Sequence, residues 1–240
     1  MKPIIVVTST RTVQREDVDI RHYPFIDIVP IKFEQSCLKP HYDWLIFTSV
    51  NAIKIFEPYL IQIEVDRIAV IGTKTKKVAD QYNISVDLMP DSFTQEGLLH
   101  EFKDQFTNQS ILIPCSKQAR DKLAKELMKW DNQVQVLHLY EPVTNIENVR
   151  KVHELIQHQE VTHVTFSSSS AVSSYFDNYH RIPNSVEVYA IGAITERKLN
   201  TYHQPSKVAE EYTLEGMINT ILKEVKSWNL IDIEDLDHLK

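Results

Sequence analysis

Two stretches of the sequence decide the fold: RIAVIG (67–72) followed by TKTKKVADQY (73–82), and VEVYAIG (186–192) followed by AITERKLNTY (193–202). Each combines a short apolar run of β-prone residues, a glycine and a segment with helical periodicity. A glycine between a strand and a helix is typical of the tight turn at the carboxyl edge of a parallel sheet. The two stretches therefore predict two similar βα units in one chain.

The same alternation of strand and helix continues on both sides of these stretches. It predicts α/β architecture with doubly wound parallel sheets. The first series is WLIFTS (44–49) then NAIKIFEPYL (51–60), SVDLM (85–89) then TQEGLLHEF (94–102), SILIP (110–114) then SKQARDKLAKELMKW (116–130), and QVQVLHLY (133–140). The second series is VTHVTFS (161–167) then SSAVSSYF (169–176), and KVAEE (207–211) then YTLEGMINTIL (212–222).

The two series keep a nearly constant distance, which indicates an internal duplication. Phe166 follows Phe47 by 119 residues, and Gly192 follows Gly72 by 120. The motif Thr-x-Glu-Gly at 94–97 recurs after 119 residues at 213–216. At their front ends the copies are unequal, because ILIPCSKQAR is followed by a helical segment whereas IIVVTSTR is followed only by a polar stretch.

The four glycines of the chain fall at matching positions of the two copies. Gly72 and Gly192 lie where ligands of open α/β sheets collect, so they either shape a binding edge or are merely structural. Gly97 and Gly216 lie in the first turn of helices that Thr94 and Thr213 would open, a position typical of capping.

Hydroxyl side chains end one strand in each copy, in FTSVNA (47–52) and FSSSSA (166–171). A strand end that presents hydroxyls and free backbone N–H groups suits an anion such as a carboxylate. The alternative is that Ser49 and Ser168 or Ser169 are simple N-caps. Thr75 and Thr195 follow the two glycine turns, so the repetition favours a shared ligand site.

Composition excludes several classes of protein. A net charge of −7 argues against a general nucleic-acid binder. The sequence lacks the glycine-rich motifs of dinucleotide and nucleoside triphosphate sites, and its histidines lack metal-ligand spacing. The apolar run Ile4–Val7 is too short for a signal peptide or a membrane span, and two cysteines predict a reducing, cytoplasmic environment.

Taken in order, these motifs resemble the uroporphyrinogen-III synthase family. The resemblance extends from Ile4 to about Leu222 and rests on FTSVNA, AVIGTKT, FTQEGLL, ILIPCSKQARDKL, LYEP, TFSSSSAV, YAIGAIT and YTLEGM. It implies a cytoplasmic, monomeric enzyme without a cofactor that cyclises hydroxymethylbilane, inverts ring D and releases water. It also implies transient contact with hydroxymethylbilane synthase, and no nucleic-acid or membrane partner.

The resemblance further implies two α/β lobes joined by a two-stranded ladder, with the ligand cleft between the lobes. Residues 1–33 with 141–240 would form lobe 1 and residues 34–140 lobe 2, with crossings near Pro30 and Pro142. The sequence alone equally allows a boundary near residue 108. The acidic segment after Trp228 is expected to be a frayed end or a small docking helix.

The family's functional tyrosine falls on Tyr140, its cleft serine on Ser168 and its threonine after the glycine turn on Thr195. A phenol is protonated at neutral pH and can help the hydroxyl of the substrate to leave; the alternative for Tyr140 is apolar packing in the ladder. The predicted catalytic residues are Tyr140 and Thr195. The predicted substrate-binding residues are Arg11, Thr48, Ser49, Gly72, Thr75, Ser116, Ser168, Ser169 and Gly192, and no metal ligand is predicted.

Two other functions fit a duplicated α/β chain. The first is a non-catalytic two-lobed sensor of a small molecule, and the second is an unrelated doubly wound enzyme.

Overall fold

The chain separates into two compact units by its internal contacts. The computed structural model describes residues 2–101 and 103–237, and it describes side chains as far as Lys226. Unit 1 consists of Met1–Asp27 and Val143–Lys240, and unit 2 consists of Ile28–Pro142. Unit 2 is therefore inserted in the sequence of unit 1. The resemblance predicts this inserted lobe over residues 34–140.

Strands and helices alternate along most of the chain. In order they are β1 (Ile4–Val7), β2 (Asp19–His22), β3 (Ile26–Pro30), β4 (His41–Phe47), α1 (Val50–Phe56), β5 (Glu64–Val70), α2 (Thr73–Gln81), α3 (Gln95–Glu101), β6 (Ser110–Ser116), α4 (Lys122–Met128), β7 (Gln133–Thr144), α5 (Ile146–Gln157), β8 (His163–Phe166), α6 (Ser169–Phe176), β9 (Glu187–Ala190), α7 (Ala193–Thr201), β10 (Lys207–Val208) and α8 (Leu214–Asp237). The side chains of the acidic segment after Trp228 lie outside the described residues.

Each unit is built on a five-stranded sheet. The order is β10-β9-β8-β1-β2 in one and β3-β7-β6-β4-β5 in the other. The pairs β1–β2, β1–β8, β8–β9, β9–β10, β4–β5, β4–β6 and β6–β7 are parallel. The predicted α/β class with parallel sheets is confirmed.

Both sheets are covered by helices on two faces, as the period-2 geometry of a strand requires. In β4, Trp44 and Ile46 join a core cluster with α3 and α4, whereas Leu45 and Phe47 join one with α1 and α2. In unit 1, Val6 packs with residues of α5, α6 and α7, and its neighbours in β1 pack with α8. This arrangement places the helix starts, and therefore the polar turns, at the carboxyl edge of each sheet.

The chain passes from one unit to the other within β3 and within β7. The N–H of Ile31 donates to the carbonyl of Leu139 at 2.8 Å, and the N–H of Asn145 donates to the carbonyl of Phe25 at 2.9 Å. One residue number rises as the other falls, so these segments run antiparallel. Pro30 ends β3, and Pro142 is the last residue of unit 2.

Several elements of the structure differ from the prediction. SVDLM contributes only the bridge of Leu88 to Ala69, because the Asp87 carboxylate itself accepts from the Ile68 N–H at 2.7 Å. The helix predicted over 116–130 begins at Lys122, because Lys117 N–H bonds the Tyr140 carbonyl and forms part of a turn. The polar strand β2 was not predicted, since its sequence DIRH lies at a sheet edge and lacks an apolar signal.

The capping prediction for the second glycine pair is confirmed. Thr94 Oγ1 accepts from Gly97 N–H at 2.9 Å, and Thr213 Oγ1 accepts from Gly216 N–H at 2.9 Å. A β-carbon at Gly97 would lie 2.2 Å from the Ser92 carbonyl oxygen, so the close approach of backbone requires glycine there.

Candidate functional site

The carboxyl edge of the unit 2 sheet gathers four of the predicted site residues. Thr48 and Ser49 follow β4, Ser116 ends β6, and Tyr140 lies in β7. The β6–β7 register shifts between Cys115 and Ser116, which brings Ser116 opposite Tyr140. Such irregularities re-aim side chains beside functional sites.

Ser49 and Tyr140 are in direct contact. Ser49 Oγ and Tyr140 OH lie 2.9 Å apart, and Ser49 Oγ also accepts from Ala52 N–H at 3.2 Å. Ser49 is therefore both the N-cap of α1 and the partner of the phenol. Tyr140 is buried, with 6% of its surface exposed, and its ring belongs to the core cluster of α1 and α2. Packing fixes the ring, and the hydrogen bond fixes its hydroxyl.

A cavity of about 310 Å³ lies against Tyr140, the partner of Ser49. It is lined by Thr48, Ile71, Phe93, Thr94, Gln95, Ser116, Ala119, Arg120 and Tyr140. A second cavity of about 190 Å³ shares Thr48, Gln95, Ala119 and Arg120 with it and extends toward Cys115 and His138. The site thus combines hydroxyl groups, one guanidinium and two aromatic side chains.

Arg120 is held at the cavity by Glu96. Its two terminal nitrogens donate to the two carboxylate oxygens of Glu96 at 3.1 and 3.4 Å, and Lys122 donates to the same carboxylate at 3.1 Å. A hydrogen bond from the backbone N–H of Glu96, then Lys122 and Arg120, lower the pKa of Glu96 to about 2. The anionic carboxylate orients a cation that is itself 64% exposed and able to contact an anionic ligand.

Gln95 presents an unusual amide at the same place. Its side-chain carbonyl oxygen is buried and has no hydrogen-bond partner among the described residues. The duplication aligns Gln95 with Leu214, which is a buried apolar residue. The fold thus accepts an apolar side chain at this position, and the two units differ in having a polar residue, Gln95, in one and Leu214 in the other.

The corresponding edge of unit 1 contains four predicted residues. Ser168 caps α6 by accepting from Ala171 N–H at 3.2 Å and lies 3.0 Å from the hydroxyl of Ser170. Ser169 Oγ donates to the carbonyl of Ile194 at 3.5 Å, across the turn that contains Gly192. Thr195 is only 3% exposed. Ser168 is therefore an N-cap, as Ser49 is, and substrate binding by the two serines stays a prediction.

The remaining predicted residues lie apart from the cavities. Thr75 is buried, and Arg11 is exposed, with its backbone N–H on Ser9 Oγ at 3.0 Å. Gly72 has a φ of +93°, which favours glycine, whereas Gly192 has a φ of −178°, which any residue adopts. Within the part of the chain that the structure describes, no three His, Cys, Asp or Glu residues could together hold a metal ion.

Phe93, Gln95 and Arg120 were not predicted as site residues. All three lie within or beside quoted motifs, and Phe93 has an aromatic counterpart, Tyr212, directly before the second Thr-x-Glu-Gly. That repetition of an aromatic residue was the available signal for Phe93. For Gln95 and Arg120 the sequence offers no comparable signal.

The comparison with known families agrees with this geometry. The family model described as uroporphyrinogen-III synthase HemD matches residues 7–219. The chain belongs to the uroporphyrinogen-III synthase family. The resemblance inferred from the sequence is confirmed, and the non-catalytic sensor is not favoured.

Relatives support membership of the uroporphyrinogen-III synthase family. The chain is 28% identical to the "Porphyrin biosynthesis protein HemD" of Ruminiclostridium josui, over 95% of this chain and 47% of that protein. The chain therefore spans about half the length of that relative. It is 31% identical to the "Putative uroporphyrinogen-III synthase" of Methanocaldococcus jannaschii, over 75% of this chain and 78% of that protein.

Solved structures show the same fold. The crystal structure of uroporphyrinogen-III synthetase from Helicobacter pylori 26695 has a TM-score of 0.67 at 17% identity and covers 93% of this chain and 99% of its own. A mutant uroporphyrinogen III synthase from the extremely thermophilic bacterium Thermus thermophilus has a TM-score of 0.59 at 13% identity, over 88% and 90% of the two chains. No helix in the described part of this synthase family member is long and apolar enough to cross a membrane.

Proposed function

We propose that the chain cyclises hydroxymethylbilane to uroporphyrinogen III, with inversion of ring D and loss of water. The observation that carries the proposal is the contact of Ser49 Oγ with Tyr140 OH at a cavity that also offers hydroxyls and Arg120. Loss of water requires a hydrogen-bond or proton donor at the leaving hydroxyl. Tyr140 is the donor that the proposal assigns.

A chain of hydrogen bonds supports Tyr140 in this role. Ala52 N–H donates to Ser49 Oγ, the Ser49 hydroxyl can donate to the phenol oxygen, and the phenol hydrogen then points to the substrate. Each hydrogen bond polarises the next, so the phenol becomes a better donor than an isolated one. The C–O bond of the hydroxymethyl group breaks with both electrons on oxygen, which takes the phenol proton and leaves as water. The N–H of the same pyrrole ring then returns a proton to the phenolate.

The remaining steps require position more than acid–base chemistry. Ionisation leaves an electrophilic azafulvene, which ring D attacks at its substituted carbon to give a spiro intermediate that fragments and recloses inverted. The free substrate is flexible and closes spontaneously to the type I isomer, so the protein must hold ring D at the point of attack. Buried, packed side chains such as Tyr140 supply that rigidity.

Carboxylate recognition is assigned to the strand-end edges. In unit 2, Thr48, Ser116 and Arg120 line the cavity. In unit 1, Ser168, Ser169 and Gly192 lie at the corresponding turn. Hydroxyl and backbone donors at these edges allow a protein of net charge −7 to bind an octacarboxylate. The catalytic role of Thr195 and the substrate-binding roles of Arg11 and Thr75 stay predictions.

The test supplies freshly generated hydroxymethylbilane and resolves the product isomers. We expect type III from the wild type and a rate at least about 100-fold lower from Tyr140→Phe, the size of a lost catalytic donor. The variant should keep its unfolding midpoint, since the ring packing is retained. Type I as the sole wild-type product would reject the proposed activity, and an unchanged Tyr140→Phe rate would reject the role of Tyr140.

We further propose that the chain acts as a cytoplasmic monomer in transient contact with hydroxymethylbilane synthase. The free thiols of Cys37 and Cys115 support a reducing location. Because the free substrate closes spontaneously, contact between the two enzymes would shorten the time that it spends in solution. Sedimentation of the chain alone tests the monomer, which a stable dimer would contradict. Sedimentation with that synthase and the type I fraction from the coupled reaction test the transient contact.

A further inference from the structure

Phe93 and Tyr212 occupy the same position in the two copies of the duplication. They are 119 residues apart, and each directly precedes the threonine of a Thr-x-Glu-Gly motif. Phe93 is 50% exposed and Tyr212 is 66% exposed. Neither residue belongs to a core cluster of the described residues. Two large aromatic side chains are therefore kept at the surface at equivalent places.

Each aromatic residue lies over the glycine turn of its own unit. A β-carbon on Gly192 would lie 3.2 to 3.4 Å from ring atoms of Tyr212, and one on Gly72 would lie 3.8 Å from the β-carbon of Phe93. The extended φ of Gly192 does not require glycine. The Tyr212 ring thus packs closely against the bare backbone at Gly192.

Packing of the fold does not account for this exposure. An aromatic side chain stabilises a core by losing apolar surface to neighbours, and these two retain half or more of theirs. Exposed apolar surface beside polar groups is typical of ligand sites. Phe93 lines the cavity that contains Tyr140 and Arg120. Next to Gly192, Ile194 adds a further apolar side chain that is 70% exposed.

We infer that Phe93 and Tyr212 are positioning residues, each of which stacks on a pyrrole ring at the strand-end edge of its own unit. The inference rests on the proposed function. Pyrrole rings are the flat, electron-rich surfaces of an otherwise carboxylate-covered substrate, so an aromatic side chain is the group that recognises them. Hydroxyls and Arg120 bind carboxylates, which all four rings carry. Stacking fixes the plane of a ring, which carboxylate contacts alone do not do.

The test compares Phe93→Leu, Tyr212→Leu and the double variant with the wild type on freshly generated hydroxymethylbilane. Each single change should raise KM about tenfold, as loss of one ring–aromatic stack does. The double variant should raise KM further and release a larger fraction of type I isomer. Phe93→Tyr and Tyr212→Phe should restore wild-type KM, because they retain the ring.

Tyr82→Leu is the matched control, since Tyr82 is a 39% exposed aromatic residue at the opposite end of α2. It should leave KM and the isomer ratio unchanged, and all variants should keep the wild-type unfolding midpoint. Wild-type KM and isomer ratio in both leucine variants would overturn the stacking role while the proposed function stands. Type I as the only wild-type product would overturn the proposed function and this inference with it.

Discussion

Ser49 and Tyr140 are joined by a 2.9 Å contact between their hydroxyl oxygens, although 91 residues separate them in sequence. Ser49 comes from the turn after β4, and Tyr140 comes from β7, two strands away in the sheet. The same Ser49 oxygen caps α1. Ser49, which was predicted to bind substrate, therefore caps a helix and also orients the phenol.

Removal of the Ser49 hydroxyl tests whether the two residues act as one unit. Ser49→Ala should lower type III formation about tenfold or more, because the phenol loses the donor that polarises it. In the Tyr140→Phe background the same change should cost little further activity, since the leaving hydroxyl then has no phenol. Single-turnover consumption of hydroxymethylbilane measures both effects.

Asn145→Ala is the control for the lost cap. Asn145 caps α5 by accepting from Asn148 N–H at 2.9 Å, so its loss should destabilise the fold by about 1 kcal/mol, as Ser49→Ala should. Its turnover should stay at the wild-type level. Fully additive losses in Ser49→Ala and Tyr140→Phe would show that the serine acts only as a cap.

Gln95→Leu should stabilise the protein by about 1 kcal/mol. The change removes a buried carbonyl oxygen that has no partner among the described residues, and it installs the residue type found at the duplicated position, Leu214. Urea unfolding of wild type and variant measures the difference. Gln95→Glu, which buries a carboxylate oxygen instead, should move the midpoint the other way; a lower midpoint for Gln95→Leu would contradict the reasoning.

Much of the fold was predictable because the duplication repeats local signals. The glycine turns and the Thr94 and Thr213 caps depend on neighbouring residues, so the sequence contains their cause. The meeting of Ser116 with Tyr140 does not have a local cause, because it depends on a register shift in the pairing of β6 with β7. The sequence shows Phe93 as a repeated aromatic residue. Its exposure, which indicates a role in ligand contact, is a property of the folded chain.

The buried imidazole of His163 should make stability depend on pH. Burial chiefly, with a smaller contribution from Lys207, lowers the pKa of His163, while Glu187 and Glu224 act in the opposite direction. The unfolded chain then takes up a proton near pH 6.5 and the folded chain only at lower pH. Stability is therefore fully present above about pH 6.5 and is lost as the pH falls from there toward the folded-state pKa.

His163→Gln should reduce this loss by up to about 1 kcal/mol between pH 7.5 and 5.5. The glutamine keeps a polar group beside the Thr162 hydroxyl, which lies 2.7 Å from His163 Nδ1. Urea unfolding at the two pH values gives the free energies. His153, whose pKa burial also lowers, is present in both proteins and cancels from the difference. Equal pH dependence in the two proteins would rule out His163 as the source.

The four glycines should differ in their tolerance of alanine, although the sequence presents them as two matched pairs. Gly97→Ala and Gly216→Ala should cost more than about 2 kcal/mol, because the new β-carbon would lie 2.2 and 2.5 Å from backbone carbonyl oxygens that belong to the capping turns. Gly72→Ala should cost about 1–2 kcal/mol through its φ of +93° alone. Gly192→Ala should cost less than about 1 kcal/mol, because its φ is extended and the Tyr212 ring can move into solvent. Urea midpoints of the four variants give the order, and a Gly192 variant less stable than the Gly97 variant would refute it.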